Sequence, residues 1–285
     1  MTERGIDVAG LLSGPKGLYL PVTTFAQRAE KIDAITAVVT HTLTEAQCAP
    51  RKTAMLRGII VRKGSTVTNK REVDDEITEG HFRTFPLLAG HQGFGMLLAA
   101  GMYDSPMWWR EAVFISFQSP ASLEDEMTAT AKISRDDSSG REIDGNVRRS
   151  GGIHTRADGI LLEPAQPGEI SGPYLPQNAW LEVGAHLGGG ALAALGEFPG
   201  DDYAPIYLGT GQLKLPKELG LPGDQLTGRI TVNSVEGMDI PGLGKLKVVS
   251  VNEVIDKGTA ASWEFEELEF GFLPRADLER AVMQR

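Results

Sequence analysis

Apolar residues recur along the chain with two different periods, and the order of these patterns is similar in its two halves. Two glycine-rich apolar runs are typical of buried helices: residues 87–102 and the proline-led residues 173–195. Segments with the period of half-buried strands follow each run, as in 127–134, where Met127, Ala129 and Ala131 alternate with polar residues. This order predicts an antiparallel sheet with one helix lying on it, repeated twice, rather than a βαβ fold.

Three shorter patterns predict further elements. Residues 55–73 are rich in β-branched residues around a Lys-Gly-Ser break, which predicts a pair of strands. In residues 262–273 the apolar side chains change phase by one residue between Phe265 and Leu268, which predicts a β-bulge. Residues 24–43 have a spacing that predicts an amphipathic helix; its apolar positions are Phe25, Ala29, Ile32, Ile35, Val39 and Leu43.

Composition and charge narrow the class of protein. The chain has 285 residues, 41% of them hydrophobic, which is ample for a core. A net charge of −10 argues against nucleic acid as a partner. No apolar run is long enough to span a bilayer, and no secretory signal begins the chain. The single cysteine, Cys48, favours a reducing cytoplasm, and no CxxC, HExxH or nucleotide-binding motif indicates a metal or a cofactor.

A short motif before the first apolar helix carries a resemblance to a known family. Gly80, His81 and Phe82, followed by a turn at Pro86 and a glycine-rich helix, resemble the loop of hotdog-fold β-hydroxyacyl thioester dehydratases of fatty-acid and polyketide synthesis. The resemblance covers about residues 52–274 and implies an α+β double hotdog, two antiparallel sheets each wrapped on a central helix and related by a pseudo-two-fold axis. We therefore expect an N-terminal helical segment at 1–50, a first hotdog at 51–160 and a second at 161–285, joined near 150–170.

The two halves keep different parts of the family's catalytic pair. In that family an acidic residue stands fourteen residues after the histidine, and the two act across a dimer interface. Fourteen residues after His81 stands Gly95, whereas aligning Pro173 with Pro86 puts Glu182 at the acid position. Fourteen residues before Glu182 there is only a glycine. The resemblance thus implies one complete site per chain, with His81 as the base and Glu182 as the acid or the group that positions the hydroxyl.

The resemblance also implies supporting roles for three other residues. The family donates a backbone N–H to the thioester oxygen from the residue that corresponds to Gln177. It holds the histidine ring through the backbone carbonyl that corresponds to Leu87. His186 stands one turn after Glu182, where the family usually has glutamine, and Gln177 stands where the family usually has glycine. His186 could hydrogen-bond Glu182 at this spacing, but with no third ligand nearby the pair does not indicate a metal.

The expected activity is the dehydration of a 3-hydroxyacyl thioester, carried by acyl carrier protein or CoA, to the enoyl thioester. Hydration in the reverse direction and double-bond isomerisation stay open. The alternatives are a hotdog thioesterase and a non-catalytic acyl-binding scaffold. A paired hotdog could act as a monomer or form a homodimer.

Two further groups of residues have expected positions. An acidic carrier would require a local basic surface, for which Arg148, Arg149 and Arg156 are candidates. His41 and His154 are expected to be surface or strand residues.

Overall fold

The structure is a computed structural model, and it describes most of the chain outside the N-terminal residues and several connecting segments. The described residues are 27–43, 56–61, 64–69, 87–88, 90–102, 105, 107–119, 121–122, 127–149, 151–165, 179–197, 203–215, 220–240, 244–258 and 262–274.

These residues form two helices and sixteen strands. In chain order the elements are β1 (Gln27–Lys31), β2 (Thr36–Thr42), β3 (Leu56–Val61), β4 (Gly64–Asn69), β5 (Leu87–Leu88), α1 (Gly90–Gly101), β6 (Met107–Ala112), β7 (Phe114–Phe117), β8 (Ala121–Ser122), β9 (Met127–Asp137), β10 (Gly140–Arg149), β11 (Gly152–Pro164), α2 (Ala179–Leu195), β12 (Tyr203–Thr210), β13 (Leu213–Lys214), β14 (Gln225–Ile240), β15 (Gly244–Asp256) and β16 (Ser262–Pro274). No helix among them is long and apolar enough to cross a membrane.

One antiparallel sheet joins both halves of the chain. Its strand order is β1-β2-β14-β15-β16-β12-β7-β11-β10-β9-β4-β3, with β13 bridging β16 and β6, and β6 also pairing β11. From either end the order is a hairpin, then the three long strands that follow a helix, then the short strands at the centre. The halves meet where β12 pairs β7 and β13 pairs β6. The strand order is therefore the same from both edges towards the middle.

Each helix packs on its own half of this sheet. α1 contacts β3, β4, β9, β10 and β11, whereas α2 contacts β1, β2, β14, β15 and β16. The two helices also contact each other. The expectation of an antiparallel sheet with one helix on each half, rather than a βαβ fold, is confirmed.

The helix predicted over residues 24–43 is wrong, because residues 27–42 form the β1–β2 hairpin. Asp33 makes the turn by accepting hydrogen bonds from the backbone N–H groups of Ile35 (2.9 Å) and Thr36 (2.8 Å). Within β2 the alternate residues Ala37 and Val39 are fully buried, the period of a strand. The hairpin extends the second half of the sheet by pairing β2 with β14, so long-range pairing overrides the helical spacing.

The other strand predictions agree with the structure. Residues 55–73 contain β3 and β4, and Met127, Ala129 and Ala131 are buried on β9. The predicted bulge in β16 is present: the pairing with β15 shifts between Phe265 and Leu268, and Glu267 has a φ of 52°. The glycines at 151–152 turn β10 into β11, so strand structure of the first half continues through residue 164. The predicted segment boundaries at 50 and 160 otherwise stay predictions.

Candidate active site

Some of the residues predicted for the site lie within the described structure, and others lie outside it. His81 and Gln177 lie outside the described residues. Leu87 begins the short strand β5, where it pairs with Ser122 of β8. Glu182 and His186 stand one turn apart in the first half of α2. The structure thus locates the backbone of three predicted residues, and their roles stay predictions.

The first turn of α1 lies directly on the sheet. A Cβ atom at Gly93 would be 2.6 Å from Cδ2 of His154 and 2.8 Å from Oγ1 of Thr155, so only glycine permits this approach. α1 begins two residues after β5, and β5 is tied to β8. The chain that leaves the Gly80–Phe82 motif therefore enters a helix whose position is fixed by close contact with β11.

α2 approaches the sheet in the same manner. A Cβ atom at Gly184 would be 2.6 Å from Cζ of Phe265, and one at Gly188 would be 2.7 Å from Cζ of Phe270. Both phenylalanines are buried on β16. The turn of α2 that carries Glu182 and His186 is therefore held against the sheet by a glycine contact at its middle, Gly184, and by another just beyond it, Gly188.

Cations satisfy carbonyl groups at the ends of both helices. Arg141 of β10 donates from Nη1 to the Gly101 carbonyl (2.6 Å) and from Nη2 to Asp136 (2.9 Å). Lys247 of β15 donates to the backbone carbonyl of Glu197 (2.8 Å), two residues beyond α2, and to its carboxylate (2.7 Å). Positive charge at a helix C-terminus is stabilising, so each helix is fixed at its far end as well.

A buried histidine lies beneath the first turn of α1. The pairing of β11 with β10 shifts between Thr155 and Ile153, which leaves His154 as the extra residue of a bulge. His154 is 2% exposed, and its Nδ1 lies 2.6 Å from the carbonyl oxygen of Ser119. Because a carbonyl only accepts, Nδ1 carries the hydrogen. The expectation that His154 and His41 lie on strands is confirmed, but both are buried rather than at the surface.

A buried carboxyl group lies beneath α2, and the sequence analysis did not single it out. Glu253 of β15 is fully buried, and within the described structure neither of its carboxyl oxygens has a hydrogen-bond partner. Burial raises the pKa of Glu253 well above its ordinary value. Val249, Glu253 and Ile255 share one strand phase in the sequence, so alternation could have indicated this burial. For His154 no such signal existed, because the bulge breaks the alternation.

A phenol on a central strand faces the same interior. Tyr207 of β12 is partly exposed as a residue, but its hydroxyl is shielded from solvent and has no partner among the described residues. The centroid of its ring lies 5.0 Å from the ring centroid of Phe117 on β7, the strand at which the two halves of the sheet join. Burial first, and then the nearby Glu253 and Glu269 carboxyls, raise the pKa of Tyr207 well above its ordinary value. No group of three or more His, Cys, Asp or Glu side chains in the described ranges is arranged to hold a metal ion.

Comparisons with known proteins give structural neighbours only. No protein-family model and no curated protein matches the chain. The chain is similar to the dehydratase domain of RzxB from Pseudomonas fluorescens, with 12% identity and a TM-score of 0.48 over 75% of this chain and 96% of that one. It is also similar to the dehydratase domain of PpsC from Mycobacterium tuberculosis in complex with C12:1-CoA, with 10% identity and a TM-score of 0.49 over 79% of this chain and 100% of that one.

A third neighbour belongs to another class of enzyme. The chain is similar to a candidate oleoyl thioesterase from Lactobacillus plantarum, with 8% identity and a TM-score of 0.44 over 88% of this chain and 98% of that one. Dehydratase domains and a candidate thioesterase are thus both among the structural neighbours.

Proposed function

We propose that this chain is a hydro-lyase that dehydrates a 3-hydroxyacyl thioester at one composite site, with His81 from its first half and Glu182 from its second. The observation that carries the proposal is the contact between α1 and α2 above one continuous sheet. The Gly80–Phe82 motif leads into α1 through β5, and Glu182 lies in α2. Contact between these helices is the arrangement that a site shared by both halves requires.

The matching strand order supports a double hotdog in which the two halves are related by a pseudo-two-fold axis. Under that symmetry each half would present a helix and its preceding loop to the other. The first half contributes the histidine and the second half the acid, so one of the two possible sites is complete. The other site would have neither residue.

The reaction needs a base, an acid and a group that stabilises negative charge. The neutral imidazole of His81 removes the proton at C2, and the C2–H electron pair becomes the C2=C3 double bond. The C3–O bond breaks, and the hydroxyl leaves as water with the proton that Glu182 donates. Negative charge that develops on the thioester oxygen is stabilised by the Gln177 backbone N–H. The Leu87 carbonyl orients His81, and His186 hydrogen-bonds Glu182.

Three arginines support an acidic carrier or the phosphates of CoA as the group that brings the acyl chain. Arg149 donates to Oγ of Ser119 (3.4 Å), and Ser119 stands two residues before β8, the partner of β5. Arg148 and Arg156 are exposed on the neighbouring strands β10 and β11, although Arg156 also pairs with Asp158 at 2.9 Å. The cations therefore lie towards the end of the sheet where the chain enters α1, suited to attract an acidic partner.

The proposal is tested by mass spectrometry on 3-hydroxyacyl pantetheine and carrier-protein thioesters of several chain lengths. The wild-type protein should form the enoyl thioester, and His81→Ala and Glu182→Gln should each lower the rate by at least about 100-fold. Exposed Val235→Ala is the matched control and should keep the wild-type rate. Release of free thiol would instead support a thioesterase. Binding without turnover, or full activity of His81→Ala, would contradict the proposal and favour an acyl-binding scaffold.

A further inference from the structure

Glu253 is held in apolar surroundings that offer its carboxyl group no described partner. Its neighbours across the sheet are Ile230 on β14 and Phe265 on β16. Oε1 lies 3.3 Å from the point that a Cβ atom of Gly228 would occupy, and Cδ1 of Leu187 lies 3.4 Å from the same point. The carboxyl group is therefore enclosed between the sheet and α2.

The first half shows that the fold does not need a polar side chain at this place. Arg141 and Lys247 each contact the end of a helix, and the inward-facing positions that follow them are 143, 145 and 147 on β10 and 249, 251 and 253 on β15. Val147, at the position that corresponds to Glu253, is fully buried. A valine fills this position in one half, so the carboxyl group of the other half is not a packing requirement.

The carboxyl group lies beneath the turn of α2 that carries the predicted acid. Phe265, the cross-strand neighbour of Glu253, packs against Gly184, two residues after Glu182. Leu187 follows His186 directly and approaches the same point as Oε1 of Glu253. Any displacement of α2 that hydrates Glu253 would therefore move the backbone of Glu182 as well.

We propose that Glu253 is a positioning residue: α2 stays seated on the sheet while this carboxyl group is protonated, and its ionisation releases this part of the helix. The seating of α2 stands on the contacts above, and the consequence for Glu182 rests on the proposed function. The site would then be competent only while Glu253 retains its proton.

The groups around Glu253 do not supply an opposite charge from the strands that flank it. From β14, β16 and α2 it faces the uncharged residues Gly228, Ile230, Phe265 and Leu187. The shielded hydroxyl of Tyr207 on β12 and the buried side chain of His41 on β2 are ionisable groups in the described strands nearby, and the sequence of α2 contains Glu182 and His186. An ionised Glu253 would gain its solvation mainly from water, which requires the helix and the sheet to separate.

The sign of the pH dependence follows from the direction of the shift. Burial raises the pKa of Glu253 above its ordinary value of 4.5, so the folded state binds this proton more tightly than the unfolded state. The contribution of this bound proton to the stability of the folded state is complete below pH 4.5. It is lost as the pH rises through the raised pKa of Glu253 in the folded state. Seating of α2 should therefore weaken towards high pH.

The test is the pH dependence of fluorescence from Trp180, which lies in α2 and is 5% exposed. Trp180→Phe assigns the signal among the four tryptophans of the chain. The wild-type protein should show a reversible change with a midpoint well above pH 4.5. Glu253→Gln, a neutral isostere, and Glu253→Val, which copies the first half, should both abolish the change, and Tyr207→Phe should retain it. A wild-type signal independent of pH, or an unchanged midpoint in both Glu253 variants, would overturn the proposal.

An activity measurement separates this inference from the proposed function. If the chain dehydrates 3-hydroxyacyl thioesters, Glu253→Gln should remain active to a higher pH than the wild type. A chain without dehydratase activity would overturn the proposed function and the link to Glu182, while the Trp180 signal would still decide whether ionisation of Glu253 releases α2. The same upper pH limit of activity in the wild type and in Glu253→Gln would overturn the positioning role.

Discussion

The strands β10 and β15 occupy matching places in the two halves of the sheet, but they bury different side chains beneath their helices. In the first half Val147 lies between Ala129 and Thr155. In the second half Glu253 lies between Ile230 and Phe265. The buried polar residue is thus Thr155 of β11 in the first half and Glu253 of β15 in the second. The strand order alone therefore does not dictate which strand carries the buried polar residue.

The matching contacts also refine which residues of the two helices are equivalent. Gly93 lies against Thr155 and Gly184 against Phe265, and these strand residues pair with the equivalent Val147 and Glu253. By this register His91, rather than Gly95, is level with Glu182, one helical turn from the alignment of Pro86 with Pro173. The same register places a glycine, residue 172, opposite His81. In this register the position fourteen residues after the histidine is His186 in the second half, so Glu182 occupies the acid position only in the alignment of Pro86 with Pro173.

Giving the first half the side chain of the second should have the largest effect on stability. Val147→Glu buries a carboxyl group in a fully buried position sized for valine, and we expect it to lower the free energy of unfolding by about 3–5 kcal/mol. The matched control is Val235→Glu, at a side chain that is 48% exposed, where the change should stay within about 0.5 kcal/mol. Urea unfolding measures both. A cost for Val147→Glu below about 1 kcal/mol would mean that the first half can accommodate the carboxyl group, and that the halves differ less than their burial indicates.

Removing the close contact of α2 with the sheet should have an intermediate effect. Gly184→Ala places a methyl group 2.6 Å from Phe265, and overpacking should cost about 2 kcal/mol after the gain in helix propensity is allowed for. Gly237→Ala, which has open space around it, should change stability by no more than about 0.5 kcal/mol. Thermal unfolding of the two variants in parallel checks the difference. Equal melting temperatures would argue that α2 is not seated as closely as the contact with Phe265 requires.

Replacing the two cations at the helix ends should lower the free energy of unfolding, and the loss should be larger for the more buried cation. The Arg141 side chain is 4% exposed and the Lys247 side chain 32% exposed. Arg141→Met leaves the Gly101 carbonyl without its donor and should cost about 1.5–2 kcal/mol. Lys247→Met should cost less than about 1 kcal/mol because water can replace it and salt screens it. Chemical denaturation at low and high salt measures both, and an equal loss would show that burial does not separate the two caps.

Much of the fold could be predicted because local pattern and final structure agree. Alternation located β9, and the phase change between Phe265 and Leu268 located the bulge in β16. The region 24–43 failed because its apolar spacing also satisfies a hairpin, and only the pairing of β2 with β14 decides between the two. A single sequence does not reveal a strand partner almost two hundred residues away.

The candidate site was predictable to a different degree. The motif at 80–82 and the position of Glu182 are local features, so the sequence could indicate them through a family resemblance. His154 and Glu253 become notable only through their burial, which depends on the bulge in β11 and on the packing of α2. Buried polar residues without a motif are identified by tertiary structure, because their surroundings come from distant parts of the chain.

The most direct test of the shared site is whether positions 81 and 182 lie next to each other. In a Cys48→Ser background, His81→Cys combined with Glu182→Cys is treated with a short bis-maleimide and analysed by intact mass and peptide mapping. Our account predicts one intramolecular cross-link between positions 81 and 182. The control pair His81→Cys and Val235→Cys should give only single additions. Single additions in both pairs, or cross-links only between two chains, would contradict a site built from both halves of one chain.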